Sequence, residues 1–192
     1  MDRSKDVDRQ SARTGVYGRR DFLRLGTATA TALLAAPVFG GTTPAVERQL
    51  RFQNTHTGES VSSVYWAGGD YIDEGLQEIN GVLRDHRTDE IYPIDTSLLD
   101  LLFLLQASTE NRKPFQVISG YRSPKTNQAL RSKSAGVAKR SYHMRGKAID
   151  VRLPGVDLKQ LHRAAIDLKA GGVGYYPGSG FIHVDVGPKR SW

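Results

Sequence analysis

Apolar residues recur along this chain with two different periods, and the switches between them outline its elements. Over residues 71–87, Ile72, Leu76, Ile79 and Leu83 fall at three- and four-residue intervals, the spacing of one apolar helix face. A second helix begins at Asp95, a residue type that caps helix N-termini, and carries Leu98, Leu99, Leu101, Leu102, Leu104 and Leu105. So many apolar positions predict burial on most sides. Ser123-Pro124 supplies the cap and first-turn proline of a third helix, and Asp157 caps a fourth that carries Leu158, Leu161, Ala165 and Leu168 and is closed by Gly171-Gly172. Short apolar runs predict strands over 61–66, 115–118, 146–153 and 181–186. Helices first, strands late and short loops between them predict an α+β domain with a small, mostly antiparallel sheet.

Composition narrows the chemistry. The 192 residues include no Cys, which excludes a disulfide framework, thiolate zinc fingers, iron–sulfur clusters and a cysteine nucleophile. Any metal must be held by His and carboxylates. An apolar content of 39% and a length close to that of one domain exclude a disordered or fibrous chain.

The formal charge of +7 is unevenly placed. Arg19-Arg20-Asp21-Phe22-Leu23-Arg24 precedes an uncharged stretch over 26–36, the order of a twin-arginine export signal. That stretch is too short and too rich in small residues for a membrane span of about 20 residues. Residues 1–45 are therefore expected to be a signal peptide cleaved near residue 40 or 45, and residues 46–192 the domain it exports to the periplasm. The leader holds 7 of the 27 basic and 4 of the 20 acidic residues, leaving 20 and 16, a net charge of +4. Basic and acidic residues interleave except around Lys125 to Lys147, so no nucleic-acid partner is expected. The anionic polymer of that compartment is the cell wall.

Two late strands turn polar side chains away from the core. Alternation puts Ile149, Val151 and Leu153 on one face and Asp150 and Arg152 on the other; likewise Ile182, Val184 and Val186 oppose His183 and Asp185. His143 precedes Asp150 by seven residues, and a turn at Gly146 brings it back beside that carboxylate. Two neutral imidazoles and one carboxylate suit a catalytic zinc ion whose fourth position is left for water. A hydrogen-bonded surface role for a lone His in such a segment is the alternative on spacing alone.

The run Ser141-x-His143-x-x-Gly146-x-Ala148-x-Asp150, followed by His183-x-Asp185 on a terminal strand, resembles the zinc signature of the LAS metallopeptidases. That group takes in lysostaphin, the D-Ala-D-Ala metallopeptidases and sonic hedgehog. The likeness runs from Asn54-Thr55-His56-Thr57-Gly58-Glu59 through Ser119-Gly120-Tyr121-Arg122-Ser123 to residues 171–177, essentially the whole domain. It implies a hedgehog/D-Ala-D-Ala-peptidase-like fold, with helices on one face of the sheet and a zinc cleft on the other. It implies one Zn2+ held by His143, Asp150 and His183, and hydrolysis of peptidoglycan peptide cross-links by a zinc-activated water. The implied protein is a monomer with no membrane span once the leader is removed. A D-Ala-D-Ala-type carboxypeptidase and a non-catalytic zinc-containing wall-binding domain are the alternatives on the same fold.

The resemblance also implies that Arg122 grips a substrate carboxylate or polarises the scissile carbonyl, tasks suited to a planar, permanently charged fork. Ser141 steadies its turn or contacts substrate, and Tyr175 and Tyr176 line the cleft or pack in the core. The wider group places His-x-His, or an acidic residue three positions before the last ligand; here Gly180 stands at that place and Asp185 follows His183. On a strand, residues 183 and 185 face one side about 6.6 Å apart. Asp185 either accepts the proton of the zinc-bound water, the role expected here, or orients a ligand imidazole. His86 and His162 are expected on solvated helix faces, and His56 has no ligand partner near it in sequence.

Overall fold

Strand pairing in the computed structural model, which describes residues 46–134 and 136–192, builds one sheet of eight strands. The signal peptide expected over 1–45 lies outside the described residues. The strands are β1 (Glu47–Asn54), β2 (Ser60–Ala67), β3 (Asp70–Tyr71), β4 (Phe115–Ser119), β5 (Ala148–Arg152), β6 (Gly172–Tyr176), β7 (Phe181–Asp185) and β8 (Arg190–Ser191). They lie in the order β3-β2-β1-β4-β5-β7-β6-β8. Only β1 with β4 and β6 with β8 pair parallel. Among the described residues there are four α-helices: α1 (Asp73–Val82), α2 (Thr96–Ser108), α3 (Pro124–Arg131) and α4 (Leu158–Asp167). The α+β class and the antiparallel bias agree with the sequence, but the sheet is larger than expected.

The unread strands have weak patterns for physical reasons. β1 has Leu50 and Phe52 as its only large apolar residues among Glu47, Arg48 and Arg51, yet both are fully buried. β6 contains Gly172 and Gly174, which dilute a strand signal. Both glycines are demanded by close approach: a Cβ at Gly172 would meet the Asp185 carboxylate at 2.6 Å, and one at Gly174 the Trp192 ring at 2.7 Å. Gly171-Gly172 therefore does not close α4. That helix ends at Asp167, and Lys169 makes the turn in left-handed backbone at φ 53°.

Alternation along the central strands produces one apolar face, on which Leu50, Phe52, Phe115, Val117, Ile149, Val151, Ile182 and Val184 are all buried. Leu98, Leu99, Leu102 and Leu105 of α2 and Leu161 and Ala165 of α4 belong to the same core. Each fully buried leucine contributes about 1.5–3 kcal/mol. Side-chain caps set the starts of three helices: Asp95 accepts from Ser97 N, Ser123 from Thr126 N, and Asp157 from Lys159 N and Gln160 N. Among the described residues no helix is long and apolar enough to cross a membrane.

Helix α1 stops at Val82, short of the expected Arg87, because Asp85 is drawn inward to organise a turn. Its carboxylate, 1% exposed, accepts from Ser123 N at 2.9 Å and Arg87 N at 3.0 Å. Burial alone would raise its pKa, but hydrogen bonds from Ser123, Thr126 and the backbone amides outweigh it and lower the group from 3.8 to about 2. A carboxyl lowered in this way stabilises the fold when ionised, and that contribution is lost as pH falls from its ordinary value through about 2. Asp85→Asn is expected to cost about 2 kcal/mol at pH 7 in urea unfolding, with the gap from the parent protein narrowing as pH falls below 4. A gap that persists undiminished in acid would show that ionisation is not what stabilises the turn.

Candidate metal centre and its cleft

Antiparallel pairing of β5 with β7 sets Asp150 directly opposite His183. Both lie on the polar face, because their strand neighbours Ile149, Val151, Ile182 and Val184 occupy the apolar one. His143 arrives from outside the sheet, on a single 3₁₀ turn at Tyr142–Arg145. Ser141 caps that turn by accepting from His143 N at 3.3 Å. Gly146 ends the turn at φ 63°, pressed against the Pro93 carbonyl where a Cβ has no room.

The backs of the two imidazoles are held by acceptors. His143 Nδ1 donates to Gly120 O at 2.8 Å, and His183 Nε2 donates to Asp185 Oδ2 at 2.9 Å. In the neutral rings this leaves lone pairs on His143 Nε2 and His183 Nδ1, which face each other at 3.2 Å. Asp150 Oδ1 lies 2.9 Å from the His183 nitrogen and 3.3 Å from the His143 nitrogen. Three acceptors thus converge with no hydrogen among them, and only a cation relieves that. Bonds of about 2.0–2.1 Å at tetrahedral angles place ligand atoms about 3.3 Å apart, close to these spacings. The group can hold a metal ion.

A proton meets the same need. Burial disfavours charge on His183, but hydrogen bonds to Asp150 and Asp185 outweigh it and raise the pKa of the ring. Both carboxyls are held below the usual range: burial opposes this in each, but attraction to His143 prevails at Asp150, and hydrogen bonds from His183 and Arg190 prevail at Asp185.

Asp185 stands on the far side of His183 from the other two candidate ligands. It is fully buried, and Oδ1 accepts from Gly187 N at 2.8 Å, Gly172 N at 3.2 Å and Arg190 Nη1 at 3.1 Å. Two roles are expected for it, base or orienter of a ligand imidazole; the contact it makes is with the back of the His183 ring. Arg122 follows β4, its amide donating to His143 O at 3.2 Å. Its Nη2 lies 3.2 Å from Ser119 Oγ and 3.6 Å from Asp150 Oδ2, while its Nε is buried with no partner among the described residues. Burial lowers its pKa, yet a guanidinium stays charged. A cleft of about 530 Å³ opens over these groups, lined also by Arg140, Tyr142, Tyr176, Phe181 and Trp192.

A family model described as Peptidoglycan L,D-endopeptidase MepK matches residues 42–192. The chain belongs to the MepK family. It is 46% identical over 175 residues to the Peptidoglycan L,D-endopeptidase MepK of Escherichia coli strain K12, covering 91% of this chain and 96% of that one. It is 39% identical over 176 residues to the Probable peptidoglycan L,D-endopeptidase MepK of Haemophilus influenzae, covering 91% and 95%.

In this MepK-family chain the strand register separates the two tyrosines that the sequence left together. Tyr175, for which a substrate contact was expected, pairs with Ile182 and packs against the core, its ring 4.8 Å from His162, and it is not among the residues that line the cleft. Tyr176 pairs with Phe181 and lines the cleft. His162 is half-buried against Tyr175, and His86 stacks on His56 at 3.9 Å, so neither is the freely solvated side chain expected. Trp192 went unread: its ring lies 5.4 Å from His183 and its Nε1 donates to Tyr176 Oη at 2.7 Å. The one signal for it was Gly174, the position opposite His183 in β6, which stays bare so that the indole can lie there. His143→Ala or His183→Ala is expected to take bound metal from one equivalent to nearly none by elemental analysis after dialysis, whereas Tyr175→Phe keeps it. Full metal content in both histidine variants would show that these side chains are not ligands.

Proposed function

We propose that this chain is a zinc-dependent endopeptidase of the periplasm, exported by the twin-arginine route, that hydrolyses peptide cross-links of peptidoglycan. The observation that carries this is the convergence of His143 Nε2, Asp150 Oδ1 and His183 Nδ1 at 2.9–3.3 Å inside a cleft. The relatives' printed names supply the substrate and the L,D class of bond. Two imidazoles and one carboxylate suit Zn2+ better than the hard, oxygen-seeking cations. When bound, such an ion supplies Lewis acidity that polarises a carbonyl and lowers the pKa of a water to about 7.

The chain's own residues orient and stabilise. Gly120 O fixes the His143 tautomer, and Asp185 does the same for His183 while making the ring a better donor of its lone pair. Asp185 is thus a positioning residue in this proposal, and Arg190 and two backbone amides keep it ionised and still. Arg122 presents a dry guanidinium beside Asp150, suited to the negative charge that develops on a scissile carbonyl or to a substrate carboxylate. Tyr176, Phe181 and Trp192 add apolar ring surface to the lining of the same cleft.

Zinc-loaded protein incubated with purified sacculi is expected to release uncross-linked muropeptides, and a chelator to stop the release. Unchanged cross-linked species would sink the endopeptidase, and loss of only a terminal D-Ala would reassign it as a carboxypeptidase. Asp185→Asn is expected to weaken zinc binding by about 10–100-fold while activity recovers at saturating zinc. Normal zinc affinity with activity abolished would instead return Asp185 to the role of base.

A further inference from the structure

The charge of this chain is segregated in a way that the metal centre does not require. Residues 111–149 contain ten Lys and Arg and not one Asp or Glu, whereas the remainder of 46–192 holds ten basic and sixteen acidic residues. The segment thus carries a formal charge of +10 and the remainder −6. Lys125, Arg131, Lys133, Lys139, Arg140 and Arg145 of this segment are exposed, and among the described residues none forms an ion pair. They occupy α3, the loop after it and the approach to His143. That loop is part of the cleft wall: Gly136, Val137, Ala138 and Arg140 line it, and Asn127 Nδ2 ties it to α3 by donating to Ala138 O at 3.1 Å.

Exposed cations without acidic partners, concentrated in one stretch of chain that borders the cleft, raise the local positive potential, a cost that an anionic partner reverses. Lysine ammoniums on flexible stems are point charges with no fixed acceptor geometry, so they suit many irregularly spaced anions better than one shaped ligand. We infer that this wall is a docking surface for the free carboxylates of the peptidoglycan peptides flanking the cross-link, capturing the polymer before the scissile bond enters the cleft. This rests on the proposed endopeptidase function for the identity of the polymer. Its chemistry requires only a carboxylate-rich chain longer than the cleft, and the strength of capture falls as salt screens charges over about 10 Å.

The test compares the His143→Ala chain, chosen so that hydrolysis plays no part, with the same chain carrying Lys125→Gln, Arg131→Gln, Lys133→Gln and Lys139→Gln. Co-sedimentation with isolated sacculi is expected to weaken roughly tenfold in the charge variant at low salt, and binding by the parent to fall by a similar factor on moving to about 0.3 M NaCl. Sacculi whose carboxyls have been amidated should bind the parent as weakly as native sacculi bind the variant. In an otherwise unchanged zinc-loaded chain, the four substitutions should leave hydrolysis of a short soluble cross-linked muropeptide dimer within about twofold. Equal binding by parent and variant overturns the docking surface, as does tighter retention on vesicles of phosphatidylglycerol and phosphatidylethanolamine or on duplex DNA. Charge-dependent binding with no hydrolysis by the zinc-loaded chain would uphold the surface and sink the endopeptidase; hydrolysis with charge-independent binding would do the reverse.

Discussion

Three atoms that are all acceptors while both imidazoles are neutral face one another across about 3 Å, and much of the surrounding architecture is arranged to keep them there. His143 Nε2, His183 Nδ1 and Asp150 Oδ1 would drift apart if left to themselves. The Asp150–His183 register of β5 and β7 prevents one separation, and the hydrogen bonds behind each ring prevent the others. Those bonds also decide which nitrogen faces inward, so a carbonyl at Gly120 and a carboxylate at Asp185 determine the chemistry of atoms they never touch.

The sequence carried the front of this site and not its back. Alternation along β5 and β7 assigned Asp150 and His183 to one face because period two is a local property of a strand. Spacing from Gly146 and Asp150 left His143 between a ligand and a surface role, and the resemblance to a zinc signature singled it out. Asp185 was placed on the polar face with two roles open, because alternation gives the side of the sheet and says nothing of which ring nitrogen a carboxylate will meet. Tyr175 and Tyr176 were inseparable in sequence because β6 was unread, and a one-residue change of register exchanges the two faces. Trp192 was invisible because its position depends on β8 pairing parallel to β6, a contact between segments whose own patterns are too short to read.

Basic residues near the site fall into two kinds. Arg122 and Arg190 are drawn in toward carboxylates, where each has defined partners. Those of residues 125–145 stand outward and are not compensated by any acid in their own segment. Net charge per chain conceals this division, since the sum over 46–192 is only +4. Proximity to a cleft gives a surplus of this kind its meaning.

The three candidate ligands also differ in how firmly the backbone holds them. Asp150 and His183 ride on strands with a paired neighbour on each side, so freeing either requires breaking a ladder near the middle of the sheet. His143 rides on one turn of helix closed by a serine cap and a glycine, outside any strand ladder. The third candidate ligand is thus held by local bonds of a four-residue turn, while the other two are held by the ladder of the sheet beneath it.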